Sequence, residues 1–176
     1  MHLLLLCGSL RAGSTNEAVL RTAAQLLDDG TAVLYDGTAD LPHFDPDDDR
    51  DPLPKPVVSL REAIDAADAL LICTPEYAGD LPGSFKNLLD WTVGGIETEG
   101  KPVAWINAST FGAGETHDAL RRVLTYTGCR VVDAACASIP VLRSAIEDGV
   151  IADDDTRAAI STSLLVLASN TATRTE

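Results

Sequence analysis

"HLLLLCGSLRAGSTNEAVLRTAAQLLD" (residues 2–28) spells out one structural unit. An almost unbroken apolar run ends at Cys7, as in a strand covered on both faces. A loop of small and hydroxyl residues follows. Apolar residues then return at Val19, Leu20, Ala23, Leu26 and Leu27, three and four apart, which predicts a helix over residues 15–28. A strand, a short loop and a helix make the first half of a crossover to a parallel neighbour.

The same unit recurs outward from this stretch. Strands are predicted at "TAVLYD" (31–36), "DALLICT" (68–74), "PVAWINA" (102–108) and "RVVDAACAS" (130–138), with helices near 57–67, 83–93, 115–127 and 153–169. The alternation makes an α/β fold with a parallel sheet between helix layers. Right-handed crossovers leave few arrangements of five strands, of which 2-1-3-4-5 is the commonest. Ligands in such sheets bind beyond the carboxyl ends of the strands, where the order reverses. The loops after strands 1, 3 and 4 are therefore expected to form one site.

With 176 residues, 45% of them apolar, the chain can bury one substantial core, so residues 1–176 are expected to form a single domain. Thirteen basic against 27 acidic side chains give a formal charge of −14, which disfavours nucleic acid and anionic membrane surfaces as partners. No apolar run reaches the roughly 20 residues of a membrane span, and the opening residues lack a basic leader and cleavage site. A cytoplasmic protein is expected. Cys7, Cys73, Cys129 and Cys136 form no C-x-x-C pair and read as buried free thiols. The aspartates of "FDPDDDRDPLPKP" (44–56) imitate the start of a calcium loop. Arg50 and Pro56, however, stand where that loop needs glycine and glutamate, so a solvated connection is expected and no metal site. The end of the chain, about residues 170–176, is expected to be a frayed tail.

"GSLRAGSTN" (8–16) opens the first helix, where amides without intrahelical partners carry partial positive charge. Gly8 allows a sharp exit from the strand, Ser9, Ser14, Thr15 and Asn16 offer donors, and Arg11 adds a guanidinium suited to phosphate. The loop has no lysine for a Walker motif and too few glycines for a dinucleotide fingerprint, so a terminal phosphomonoester fits it best. After strand 3, "TPEYAGDLPGSFKNLLDW" (74–91) sets Tyr77 beside Ala78 and Gly79, where a flat ring can lie against the tyrosine and accept bonds from the amides of residues 76–79. After strand 4, "NASTFGAGE" (107–115) adds Ser109, Thr110 and the close approach allowed by Gly112 and Gly114. A helix cap, a surface arginine and ordinary turns account for each loop alone. Their convergence favours a planar cofactor with a phosphate tail.

"GSLRAGSTNEAVLRTAA", "LPHFDPD", "ADALLICTPEYAGDLPGSFKNLLDW" and "GKPVAWINAS" together resemble the NADPH-dependent FMN reductase family of flavodoxin-like flavoproteins, over about residues 2–128. The resemblance implies a flavodoxin-like three-layer sandwich. It implies that Ser9, Arg11, Ser14, Thr15 and Asn16 hold the FMN phosphate and that Pro75, Glu76, Tyr77 and Ala78 border the isoalloxazine, with Ser109 and Gly112 approaching the same ring. It further implies NADPH or NADH as reductant, a quinone or free flavin as acceptor, and a homodimer or homotetramer. The chain departs from the pattern at Ala78, where relatives commonly carry asparagine, and at "TVGGIE" (92–97), where many carry an arginine.

The expected activity is hydride transfer from the nicotinamide through flavin N5 to a small acceptor, with no side chain nominated as a catalyst. The alternative is an FMN-binding electron carrier with protein partners. A hydrolase lacks support, because Ser9 sits in no G-x-S-x-G motif. His117 reads as a partly exposed helix residue. Leu81, Phe85, Leu88 and Leu89 share one helix face, and Trp91 belongs either to the core or to an exposed patch.

Overall fold

A computed structural model describes residues 1–171. Strands β1 (His2–Cys7), β2 (Thr31–Leu34), β3 (Ala69–Cys73) and β4 (Pro102–Asn107) alternate with helices α1 (Thr15–Leu26), α2 (Lys55–Ala66), α3 (Gly83–Asp90) and α4 (Gly114–Tyr126). The chain continues through β5 (Arg130–Val131), β6 (Ala137–Ser138), a hairpin of β7 (Ile146–Glu147) and β8 (Val150–Ile151), and α5 (Asp154–Ser169). The main sheet is parallel with order β2-β1-β3-β4-β5, as expected. Its register puts Cys7 beside Cys73 and Ile72 beside Trp105.

Side-chain alternation divides β1 between two cores. Leu3, Leu5 and Cys7 face α1 and α5, packing with Val19, Leu20, Ile160 and Leu164. Leu4 and Leu6 face α2, α3 and α4, packing with Leu60, Phe85, Leu88 and Leu124. Burial on both faces explains why the strand sequence is apolar without alternation. Trp91 belongs to the second core: it is fully buried, donates from Nε1 to Pro42 O at 2.8 Å, and meets Phe44 edge-on at 5.0 Å between centroids.

Three expectations need correction. The fifth strand is not continuous: β5 pairs with Pro102 and Val103 and β6 with Ile106 and Asn107, while a 3-10 turn at Asp133–Ala135 bulges between them. β-disfavoured Asp133 turns out to pair with Arg121 at 2.5 Å, and the Ala135 carbonyl accepts from Ser163 of α5. The connection at 44–56 is not wholly solvated, because Asp49 turns inward to Arg61 at 2.8 Å and both side chains are nearly buried. Arg61 also donates to the Trp91 carbonyl, tying α2 to the end of α3. His117 is buried rather than partly exposed. Of the expected frayed tail, Asn170 and Thr171 cap α5, and residues 172–176 lie outside the described residues. The four cysteines are free, and three of them are buried.

Candidate functional site

The loops after β1, β3 and β4 meet at the carboxyl edge of the sheet. Gly8 N donates to Cys73 O at 2.9 Å, and a side chain at Gly8 would come within 2.0 Å of Thr74 Oγ1, so only glycine lets these two loops touch. Beside this contact lies an open cleft of about 380 Å³. Its walls are Thr15 and Asn16 from the first turn of α1, Thr74, Pro75 and Glu76 from the loop after β3, Ala108 to Phe111 and Ala113 from the loop after β4, and Val141 after β6.

Among the expected site residues, Thr15, Asn16, Pro75, Glu76 and Ser109 therefore share the walls, while Ser9, Arg11, Ser14, Tyr77, Ala78, Gly79 and Gly112 stand on adjoining parts of the same loops. The sequence reading did not single out Thr74, Ala108, Phe111, Ala113 or Val141. Phe111 is 99% exposed at the rim, and an aromatic between Thr110 and Gly112 was the available sign of it.

The first loop fills some of its hydrogen bonds internally and leaves others open. Ser14 caps α1 by accepting from Glu17 N at 3.1 Å, and Ser9 Oγ accepts from Arg11 N at 3.3 Å. The Glu17 carboxylate receives Gly13 N at 3.0 Å and pairs with Arg21 through its other oxygen. The amides of Thr15 and Asn16, in the first turn, have no acceptor among the described residues. The exposed Arg11 side chain makes no hydrogen bond or ion pair among the described residues. Arg121, by contrast, is committed to Asp133 and to the face of Trp105, 5.0 Å from the ring centroid.

In the second loop Tyr77 and Asp80 exchange both backbone hydrogen bonds, at 3.0 and 3.1 Å, across Ala78 and Gly79 with φ of 54° and 80°. Two positive φ values are what this tight turn demands. It consumes the Tyr77 amide within the loop, whereas the amides of Glu76, Ala78 and Gly79 have no acceptor among the described residues.

The third loop hangs on Asn107. Its side chain accepts from Ser109 N at 3.0 Å and donates to Gly112 O at 2.7 Å. Thr116 Oγ1, buried in the first turn of α4, donates to Glu76 Oε2 at 2.9 Å and so joins the second and third loops. His117 packs against Trp105 with Nδ1 on Ala113 O at 2.6 Å, and its Nε2 is buried without a partner among the described residues. Burial lowers the His117 pKa below its ordinary value against opposing contributions from the Ala113 bond and Glu76, so the ring is neutral. Burial likewise raises the thiols of Cys7 and Cys73, which end β1 and β3 beneath the cleft. Among the described residues no cluster of three or more His, Cys, Asp or Glu could hold a metal ion.

The sequence profile of the family described as NADPH-dependent FMN reductase matches residues 1–141. A relative from Pseudomonas aeruginosa, named NAD(P)H-dependent FMN reductase, is 33% identical over 165 residues, covering 91% of this chain and 89% of that protein. A quinone reductase of Escherichia coli K12 is 32% identical over 139 residues, covering 76% and 74%. Among solved structures, the flavoenzyme NAD(P)H:(acceptor) oxidoreductase FerB of Paracoccus denitrificans superposes with a TM-score of 0.82 at 27% identity, covering 95% of each chain.

Proposed function

The chain belongs to the NADPH-dependent FMN reductase family, and from that premise we propose that this FMN-dependent oxidoreductase passes hydride from NADPH or NADH to a small acceptor, a quinone or free flavin. The cleft fits FMN on its own evidence. Thr15 and Asn16 line it with first-turn amides that have no acceptor among the described residues, the Arg11 guanidinium stands on the same loop, and Phe111 adds an exposed aromatic ring to its wall.

In this reading Ser9, Arg11, Ser14, Thr15 and Asn16 hold the phosphate. Pro75, Glu76, Tyr77, Ala78, Gly79, Ser109 and Gly112 border the ring, joined by Phe111. FMN held by these residues would supply the hydride-transfer chemistry, at N5, that links nicotinamide and acceptor. The chain's own part is to hold and orient. Amides of the second loop would offer N–H donors to the ring edge, the Thr116–Glu76 bond joins the two ring-side loops, and the exposed Phe111 at the open cleft would leave room for nicotinamide and acceptor in turn.

Leu10, Tyr77, Phe111 and Leu142 are exposed apolar residues on loops at this same sheet edge, which supports a homodimer or homotetramer closing over the cleft. No helix among the described residues is long and apolar enough to cross a membrane, which accords with a cytoplasmic enzyme.

The cradle at Thr15 and Asn16 carries this reading. Purified protein should take up FMN and then, under anaerobic conditions, lose its visible flavin absorbance on addition of NADPH or NADH and regain it with a quinone. Protein that binds FMN but reacts with neither nicotinamide would support the electron-carrier alternative, and protein that takes up no FMN would refute both.

A further inference from the structure

Asn16 has an amide whose two ends are chemical opposites: Oδ1 only accepts, and Nδ2 only donates. An anion in the cleft needs the donor end. Asn16 is one wall of that cleft, and its Oδ1 accepts from the thiol of Cys73, which does not line it, at 3.2 Å. Cys73 is the last residue of β3 and is fully buried. Burial pushes its pKa well above the ordinary cysteine range, so at neutral pH the sulfur keeps its proton and acts as the donor. With Oδ1 engaged by the thiol, Nδ2 has no acceptor among the described residues and both its protons are available; the reversed amide would aim lone pairs at the ligand.

We propose that Cys73 is a positioning residue for the cofactor's phosphate: its thiol locks the Asn16 side chain with the donor end toward the cleft. The proposal rests on the FMN reading of the site. Cys73 is buried and does not line the cleft, so it acts only through Asn16. A purely structural Cys73 would serve the core, where shape and apolarity count and a hydroxyl does not help.

Three variants separate these roles. Cys73→Val fills the sulfur's space without a donor, Cys73→Ser keeps a donor in less space, and Cys73→Ala has neither. Dissociation constants for FMN and for riboflavin, which lacks the phosphate, would be measured beside thermal stability. Loss of one directing hydrogen bond should weaken FMN about 3- to 10-fold in Cys73→Val and Cys73→Ala with riboflavin little changed, while Cys73→Ser stays within about 2-fold of the parent. The Cys73→Ala effect should also vanish in an Asn16→Ala background. Stability should rank the other way, with valine above serine, because the site is apolar.

The inference is overturned if FMN affinity follows stability, if both ligands weaken equally, or if the effect survives without Asn16. Parent protein that binds FMN tightly while the FMN-to-riboflavin ratio is unmoved by all three changes overturns this inference alone. Parent protein that takes up no FMN overturns the cleft reading beneath it.

Discussion

Arg11 is the residue on which the first loop's charge depends. Its side chain is exposed and has no hydrogen bond or ion pair among the described residues, so it contributes little to the ligand-free fold and is placed to meet a phosphate. Arg11→Ala should therefore leave the unfolding midpoint unchanged and weaken FMN by about 1.5–3 kcal/mol, roughly 10- to 150-fold, without affecting riboflavin. Fluorescence titration with both ligands checks this. The neighbouring donors were legible in the sequence because they are contiguous and each has a local job: Ser14 is a helix cap, and Ser9 closes on the amide two residues ahead. Cys73 was legible only as a core thiol. Its bond to Asn16 joins residues 57 apart, and no local pattern announces it.

At the scale of elements, the site exists because strand ends can be brought into contact. Gly8→Ala would drive a methyl group into Thr74, including its backbone Cα at 2.9 Å, where no side-chain rotation relieves it. A loss of about 1–3 kcal/mol in urea unfolding, together with weakened FMN binding, is expected. The turn between Tyr77 and Asp80 gives the opposite case. Ala78 occupies a left-handed conformation that costs an ordinary L-residue about 1–2 kcal/mol and suits asparagine better. Ala78→Asn should raise stability by about 0.5–1 kcal/mol, measured by the same unfolding curve. The asparagine common at this position in the family thus has a backbone explanation here, whatever its side chain contributes to binding.

Elements buried on both sides were readable because their apolar runs admit little else. The fifth strand was not: Asp133 interrupts its apolar run, and the bulge it forms is fixed by Arg121 and Ser163 from two helices on opposite faces of the sheet. The same bulge precedes the segment carrying Val141, which explains why that cleft residue had no sequence signature. The β7–β8 hairpin was overlooked although its turn, Asp148-Gly149 with φ of 48° and 81°, is a strong hairpin pair.

For the whole molecule, a formal charge of −14 makes anion binding a local achievement. Long-range field opposes FMN, and the cradle's donors at short range must overcome it. Stability should also respond to pH through His117. Its folded pKa lies below the ordinary 6.5, so the unfolded chain takes up a proton that the folded one refuses. The contribution is whole above 6.5 and is lost as pH falls toward the folded value. The urea midpoint should drop over that window, and His117→Asn, which can keep a donor toward Ala113, should flatten the drop. An unaltered profile in the variant would assign the pH dependence elsewhere.

The most direct test is a crystal structure of the protein with FMN. The phosphate should lie within hydrogen-bond distance of the Thr15 and Asn16 amides, with the Arg11 guanidinium turned in from solvent and the ring between the loops at 75–79 and 109–112. A phosphate bound elsewhere, or an Arg11 side chain still in solvent with the cleft empty, would contradict the account.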